Sequence, residues 1–330
     1  MPSASEPQPR SGSALVVELA GGVGGAKLAH GLQAHLGERL TVVVNTGDDL
    51  ERHGLVVSPD HDTVMYTLAG IDNREWGWGI AGETFAASEM LARYGEATWF
   101  RLGDRDLATH VVRTRRLRDG ERATTVALQL QRALGVPARI LPMADEPVGT
   151  RVRTDDGWLD FQEYFVGRHQ EPEVRELRFE GIEAARATPE VLAAIATAGA
   201  IVVAPSNPFV SVAPILAVAG IRQAIDAARG RGVPVVAVSG IVGGRAIKGP
   251  ADRMLASLAG EPPSAVAVAR RYVGWVDTFV LDDVDADLEP EIRALGMATL
   301  VTDTIMSDDA ARARLAGEIL ALAAGRATSG

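Results

Sequence analysis

Residues 18–32, ELAGGVGGAKLAHGL, set Gly21, Gly22, Gly24 and Gly25 around Val23 and follow them with Lys27. An apolar run, Leu15-Val16-Val17, leads in, and a helical pattern leads out. Glycines this dense at a strand-to-helix junction leave backbone N–H groups open to a phosphate, which the start of a helix also attracts. Two familiar phosphate loops do not fit. A Walker loop needs Gly-Lys-Ser/Thr, whereas Gly25-Ala26-Lys27-Leu28 parts the glycine from the lysine and lacks the metal-binding hydroxyl. A dinucleotide fingerprint needs a third glycine where Lys27 stands and an acid where the second strand ends in Asn45. What remains is another kind of phosphate cradle, or a tight turn with no ligand.

The second chemical signal is acidic. The stretch after the second strand carries Asp48, Asp49, Asp60 and Asp62. Carboxylates facing a phosphate loop repel the substrate unless a hard cation sits between them, and Mg²⁺ suits one or two carboxylates plus phosphate oxygens. The competing reading is a solvated acidic loop in which Asp62 caps the helix that starts at Thr63. His53 and His61 lack an HExxH spacing and a cysteine partner, so they read as loop groups or substrate contacts rather than zinc ligands.

These residues need a scaffold that brings them together. Short β-branched runs alternate with helical periodicity. Strands are predicted at 14–19, 40–45, 97–102, 138–142, 200–204, 233–238, 275–281 and 298–301. Helices are predicted at 26–36, 62–69, 83–94, 120–134, 188–198, 214–229, 250–259 and 307–324. That alternation implies an α/β fold, a doubly wound, mainly parallel Rossmann-like sheet. Residues 148–166 instead alternate around Asp155-Asp156-Gly157, the pattern of a β-hairpin. The expected organisation is a loose tail at 1–13, a nucleotide-binding core at 14–147 and 187–330, and a hairpin-containing insertion at 148–186.

In a parallel sheet the loops after the strands share one carboxyl edge, where ligands bind. Three further polar loops are predicted to reach it. RLGDRDLATH carries Asp104, Arg105, Asp106 and His110, APSNPFVS carries Ser206 and Asn207, and SGIVGGRAIKGPAD carries Arg245 and Lys248.

Composition narrows the class. The chain has 330 residues, 47% hydrophobic and 23% charged, with a net charge of −10 and no cysteine. The acidic balance argues against a general nucleic-acid binder, which needs a basic footprint. An acidic protein that binds an anion calls for a metal. No run approaches the roughly 20 apolar residues of a membrane span, the first 13 residues do not read as a signal peptide, and the absence of cysteine fits a reducing cytoplasm.

Taken together, LAGGVGGAKL, VVNTGDD, SPDHDTVMYTLAG, WFRLGDRDLATH, FQEYFV, APSNPFVSVAPIL and GIVGGRAIKG resemble the 2-phospho-L-lactate transferase (CofD) family of coenzyme F420 biosynthesis. The resemblance runs from about residue 14 to the last helix. It implies a guanosine diphosphate ester as donor, carrying a three-carbon acid on its terminal phosphate. The implied acceptor is the deazaflavin Fo, whose ribityl hydroxyl attacks that phosphate and expels GMP, with Mg²⁺ required. Carried over by motif, Gly21, Gly22, Val23, Gly24 and Gly25 approach the diphosphate. Asn45, Asp104, Ser206 and Asn207 lie near the nucleotide, and the metal ligands are among Asp48, Asp49, Asp60 and Asp62. Lys27 or Arg105 balances leaving-group charge, and Asp48 or Asp62 accepts the proton. Trp76, Trp78 and Phe161 to Tyr164 either flank the acceptor or pack in the core. A cytoplasmic homodimer is expected. The Ala/Arg/Gly-rich composition suggests a bacterial source, for which the resemblance tilts the three-carbon unit towards enolpyruvate. The alternative is a nucleotide-sugar-binding regulator of a related fold, without catalysis.

Overall fold

A computed structural model describes residues 14–327. The predicted tail at 1–13 lies outside the described residues. Strand β1 (Leu15–Ala20) leads through the glycine run into α1 (Gly22–Leu36) and back to β2 (Leu40–Val44). A short ribbon, β3 (Leu50–Arg52) and β4 (Leu55–Val57), precedes α2 (Pro59–Leu68). Three helices follow, α3 (Ala86–Arg93), α4 (Asp104–Arg118) and α5 (Ala123–Ala133), and then β5 (Arg139–Pro142). Strands β6 (Gly149–Thr154), β7 (Gly157–Asp160) and β8 (Glu176–Glu180) form a separate antiparallel sheet in the order β7-β6-β8. The chain returns through α6 (Pro189–Ala196) to β9 (Ala198–Val203), then α7 (Ala213–Ala217), α8 (Ile221–Gly230) and β10 (Val235–Val238). After the ribbon β11 (Ile241–Val242) and β12 (Arg245–Ala246) come α9 (Ala251–Ala259), α10 (Ala265–Arg270), β13 (Thr278–Leu281), α11 (Glu289–Ala294), β14 (Ala298–Val301) and α12 (Asp309–Ala327).

The central sheet has seven parallel strands in the order β14-β13-β10-β9-β1-β2-β5. The α/β doubly wound, Rossmann-like prediction therefore holds. The strand order reverses direction between β1 and β9, and ligands of such sheets bind in the crevice at that switch point, outside the carboxyl ends. The glycine run leaves β1 and the Pro205–Ser211 loop leaves β9 at this crevice. Alternate residues of β1 feed opposite cores: Val17 and Leu19 face one apolar cluster, Val16 and Ala20 the other. A third cluster joins Val152, Leu159, Phe161 and Tyr164 to Val210 and Met254, anchoring the antiparallel sheet beside the β9 loop.

Four departures from the predicted elements bear on the site. Helix α1 begins at Gly22 rather than at 26, so the glycines form its first turn instead of a loop before it. Residues 97–102 form no strand. Trp99 stays partly exposed and Arg101 lies 4.0 Å over the Phe85 ring, so these side chains serve a surface rather than a ladder. GDRDLATH, predicted as a loop, is the first half of α4. Its opening amides are capped from a distance: Glu83 accepts from Arg105 N at 2.9 Å and from Asp106 N at 2.8 Å. Finally, the 214–229 helix is two pieces, α7 and α8, parted at Gly220, whose φ is +102°. That left-handed turn suits glycine alone among common residues.

Candidate functional site

A cavity of about 480 Å³ opens at the switch point. The glycine run, Asp48 and Asp60 form one side, Pro205 to Asn207 the floor, and Trp76, Trp78 and Lys248 the rim. Glycine is required here for two separate reasons. Gly22 has φ +64°, and a Cβ on Gly24 would stand 2.5 Å from the Pro205 carbonyl oxygen. The loop is thus packed tightly onto the β9 loop, and a bare backbone is what lets it fit.

Asp60 is the centre of the acidic wall. Its Oδ1 accepts from Gly22 N at 2.8 Å and its Oδ2 from Asn45 Nδ2 at 3.0 Å. Asn45 also donates to Val210 O at 3.2 Å and accepts from Gly47 N at 2.8 Å, so its side chain is fully committed to holding Asp60. Asp48 lines the same cavity, and its buried Oδ1 has no hydrogen-bond partner among the described residues. Burial and the facing Asp60 carboxylate push the Asp48 pKa well above the carboxylate range, with Asn45 and Thr150 pulling the other way. Burial likewise raises Asp60 to about 6, against the lowering effect of Asn45 and the Gly22 amide. Two desolvated acids side by side, one with a free buried oxygen, are a donor set that a cation would stabilise.

The four predicted metal aspartates do not form one cluster. Asp49 turns to a second cavity, where its Oδ2 accepts from Ser58 at 2.8 Å and burial raises its pKa to about 8. Asp62 is buried against Arg113, which grips both carboxylate oxygens, Oδ2 at 2.9 Å from Nη1 and Oδ1 from Nη2. Burial alone would raise its pKa, but the Arg113 guanidinium, with His61 and His110, holds it well below the usual range. His110 Nε2 is 3.1 Å from Asp106 Oδ1, which also accepts from the Tyr66 hydroxyl at 2.7 Å. Asp62, Asp106 and His110 come close enough to suggest a metal, yet Arg113 already supplies the positive charge there. Asp62 thus ties α2 to α4 through its ion pair with Arg113.

Several other predicted residues take structural work. Asp104 caps α3, accepting from Ala86 N and Ala87 N at 3.0 Å each and from Thr84 Oγ1 at 2.6 Å. It lies away from the cavity. Arg105 donates to Ala81 O at 3.0 Å and is likewise off the cavity lining. Ser206 reaches the lining, but its hydroxyl is spent on Gly21, accepting from the amide at 3.0 Å and donating to the carbonyl at 2.8 Å. Asn207 Oδ1 accepts from Phe209 N at 2.9 Å and caps the turn that follows. His53 lies 3.7 Å from Glu96, and Arg245 is exposed on β12. Trp76 and Trp78 line the mouth with ring centroids 5.3 Å apart, whereas Tyr164 is buried in the third cluster.

Lysine is scarce among the chain's 33 basic residues. The chain has two lysines, Lys27 and Lys248. Burial lowers the Lys27 pKa, and the nearby charges of Arg312 and Lys248 lower it further. Lys248 lines the cavity and donates to Trp76 O at 2.9 Å across the mouth, while Lys27 stands just behind the lining. Lys248 thus faces the glycine turn across the cavity, a cation where an anion would sit.

The residue missed in the sequence is Arg113. Asp106, His110 and Arg113 fall at helical spacing, a shared face visible once 104–118 is read as a helix. Gln162, inside the 161–164 stretch, lines the cavity and donates to the Asp48 carbonyl at 3.5 Å.

Comparison with known proteins identifies the family. A family model described as 2-phospho-L-lactate transferase CofD matches residues 16–310. The phosphoenolpyruvate transferase of Streptomyces griseus subsp. griseus is 45% identical over 315 residues, covering 93% of this chain and 98% of that protein. The 2-phospho-L-lactate transferase of Methanosarcina mazei is 38% identical over 294 residues, covering 88% and 95%. A solved structure of a UPF0052 family member from Bacillus halodurans superposes with a TM-score of 0.60 at 15% identity, covering 93% of this chain and 99% of that one, a likeness of fold alone. The chain belongs to the CofD family of 2-phospho-L-lactate and phosphoenolpyruvate transferases.

Proposed function

We propose that this transferase moves a phospho-three-carbon-acid group from a guanosine diphosphate ester to the deazaflavin Fo and releases GMP, in coenzyme F420 biosynthesis. The observation that carries the reading is the pairing, across one cavity, of a glycine helix start and Lys248 with two desolvated aspartates. A diphosphate needs the first and a bridging cation needs the second.

Asp48 and Asp60 would hold Mg²⁺, and the unpartnered Asp48 Oδ1 is the observation that fits them to it. Bound there, the ion neutralises charge on the transferring phosphoryl group. The chain's own residues do the rest. The α1 turn and Lys248 orient the diphosphate, and Asn45 keeps Asp60 in place. The acceptor hydroxyl oxygen bonds to the phosphorus that bears the three-carbon acid, the bond from that phosphorus to the GMP oxygen breaks, and Asp48 takes the hydroxyl proton. Phosphoryl transfer asks for little beyond such positioning and neutralisation.

The three-carbon unit is enolpyruvate in this proposal. Its support is the activity for which the Streptomyces relatives at 45% identity are named, against 38% for the 2-phospho-L-lactate transferase of Methanosarcina mazei. Purified protein given Fo and each donor ester, with products weighed by mass spectrometry, tests both points. Product from the enolpyruvyl donor is expected; exclusive use of the lactyl donor would refute the choice of acid, and no product from either would refute the transfer. A nucleotide-sugar-binding regulator would leave deazaflavin fluorescence unchanged.

A further inference from the structure

We infer that Thr150, on the antiparallel sheet, is a positioning residue that fixes the Asp48 carboxylate for the cation. The inference rests on the proposed Mg²⁺ site and gives the antiparallel sheet a task in it.

The antiparallel sheet shares no strand with the central one, yet it reaches the acidic wall at two points. Thr150 is the second residue of β6 and is 2% exposed. Its backbone N–H donates to the Gly47 carbonyl at 2.6 Å. Gln162, just after β7, donates from Nε2 to the Asp48 carbonyl at 3.5 Å. The amides of the same turn are held from its own loop, Gly47 N by Asn45 Oδ1 at 2.8 Å and Asp49 N by Thr46 O at 3.2 Å. The fit is close: a Cβ on Gly47 would stand 2.8 Å from Thr150 Oγ1. Strand β6 thus packs directly on the turn that presents Asp48.

The Thr150 hydroxyl separates positioning from packing. Its Oγ1 is buried without a hydrogen-bond partner among the described residues, and so is Asp48 Oδ1. Buried polar groups are nearly always paired. A side chain kept here for packing alone would be better as valine, which has the same shape and no hydroxyl to leave unsatisfied. The hydroxyl instead acts on the Asp48 carboxyl, whose charged form it favours. A carboxylate can accept from a hydroxyl and still offer lone pairs to a cation. Hydrogen bonds of this kind orient metal-ligating carboxylates.

The two acids are supported from different parts of the fold. Asp60 is held by Asn45 and the Gly22 amide, both belonging to the central sheet and its first helix. Asp48 is held from β6 and from Gln162. The spacing of the two carboxylates is therefore set by how the antiparallel sheet docks, through Val152, Phe161 and Tyr164 against Val210 and Met254. A cation between Asp48 and Asp60 spans that junction.

Calorimetric titration of Mg²⁺ into the full chain saturated with GDP reads the site without turnover. Thr150→Val should weaken Mg²⁺ binding by roughly 10–100-fold, the usual cost of losing a partner that orients a metal ligand. Its melting temperature without ligand should stay at or above the parental value, because the lost hydroxyl bonds nothing else among the described residues. Thr150→Ser keeps the hydroxyl and should bind Mg²⁺ more tightly than Thr150→Val. The reverse order, or equal Mg²⁺ affinity in the parent and Thr150→Val, would reduce Thr150 to packing and leave the Asp48–Asp60 site standing. Parental protein that binds GDP but no Mg²⁺ would overturn both the site and the inference.

Discussion

The Gly22 amide donates to Asp60 Oδ1 at 2.8 Å, so a carboxylate stands at the start of α1, where the glycine run leads one to expect a phosphate. A phosphate oxygen and this carboxylate repel one another unless a cation joins them. Mg²⁺ and GDP should therefore bind with strong positive coupling, each raising the affinity of the other by the same factor. Calorimetric titration of GDP with and without Mg²⁺ should show at least a tenfold difference, and Asp60→Asn should shrink it. Equal affinities would remove the bridging role.

Asp48 and Asp62 differ in what their loss should do. Asp48→Asn keeps the volume of a cavity-lining group and removes the carboxylate proposed both to hold Mg²⁺ and to take the proton, so turnover should fall by at least roughly 10²–10⁴-fold with little change in melting temperature. A steady-state assay alongside thermal melting reads both.

Asp62→Asn leaves Arg113 as an uncompensated buried cation. Breaking one partner of a buried pair costs about 3–5 kcal/mol, so urea denaturation should show a large loss of stability. A variant as stable as the parent would return Asp62 to the list of ligands.

Gly24→Ala places a methyl 2.5 Å from the Pro205 carbonyl. Overpacking of this kind costs about 1–3 kcal/mol. Chemical denaturation should show it, and GDP affinity should drop with it because the α1 turn is displaced from the β9 loop.

Glu18 provides a pH signature independent of the site. It sits on β1 at 0% exposure with both carboxylate oxygens unpartnered among the described residues, and burial raises its pKa well above the ordinary 4.5. The folded state thus keeps a proton that the unfolded chain releases above pH 4.5. Stability falls as pH rises from that value towards the folded pKa. Glu18→Gln should match the parent near pH 4.5 and be increasingly more stable towards pH 8. A gap in urea midpoint that does not grow with pH would show that Glu18 is not held neutral.

Local pattern determined much of this protein. The β-branched runs at 40–45, 138–142 and 298–301 lie within a residue of β2, β5 and β14 because buried parallel strands are near-continuous apolar segments. The glycine run and Asp48 with Asp60 were legible as chemistry because only a few residue types tolerate φ above zero or bind a hard cation. Tertiary structure decided which polar residues were free to act. Glu83 caps α4 from 22 and 23 residues upstream, so its opening looked like a loop. Asp62 lies two residues from Asp60 but turns to Arg113, on a helix the sequence pattern did not reveal. Asp104, Ser206 and Asn207 are spent on backbone amides, because a buried or capping hydrogen bond takes the nearest polar side chain wherever it lies in the chain. Spacing in sequence sets which types of residue reach the sheet edge; the three-dimensional account of donors and acceptors decides which of them have an oxygen left for a substrate.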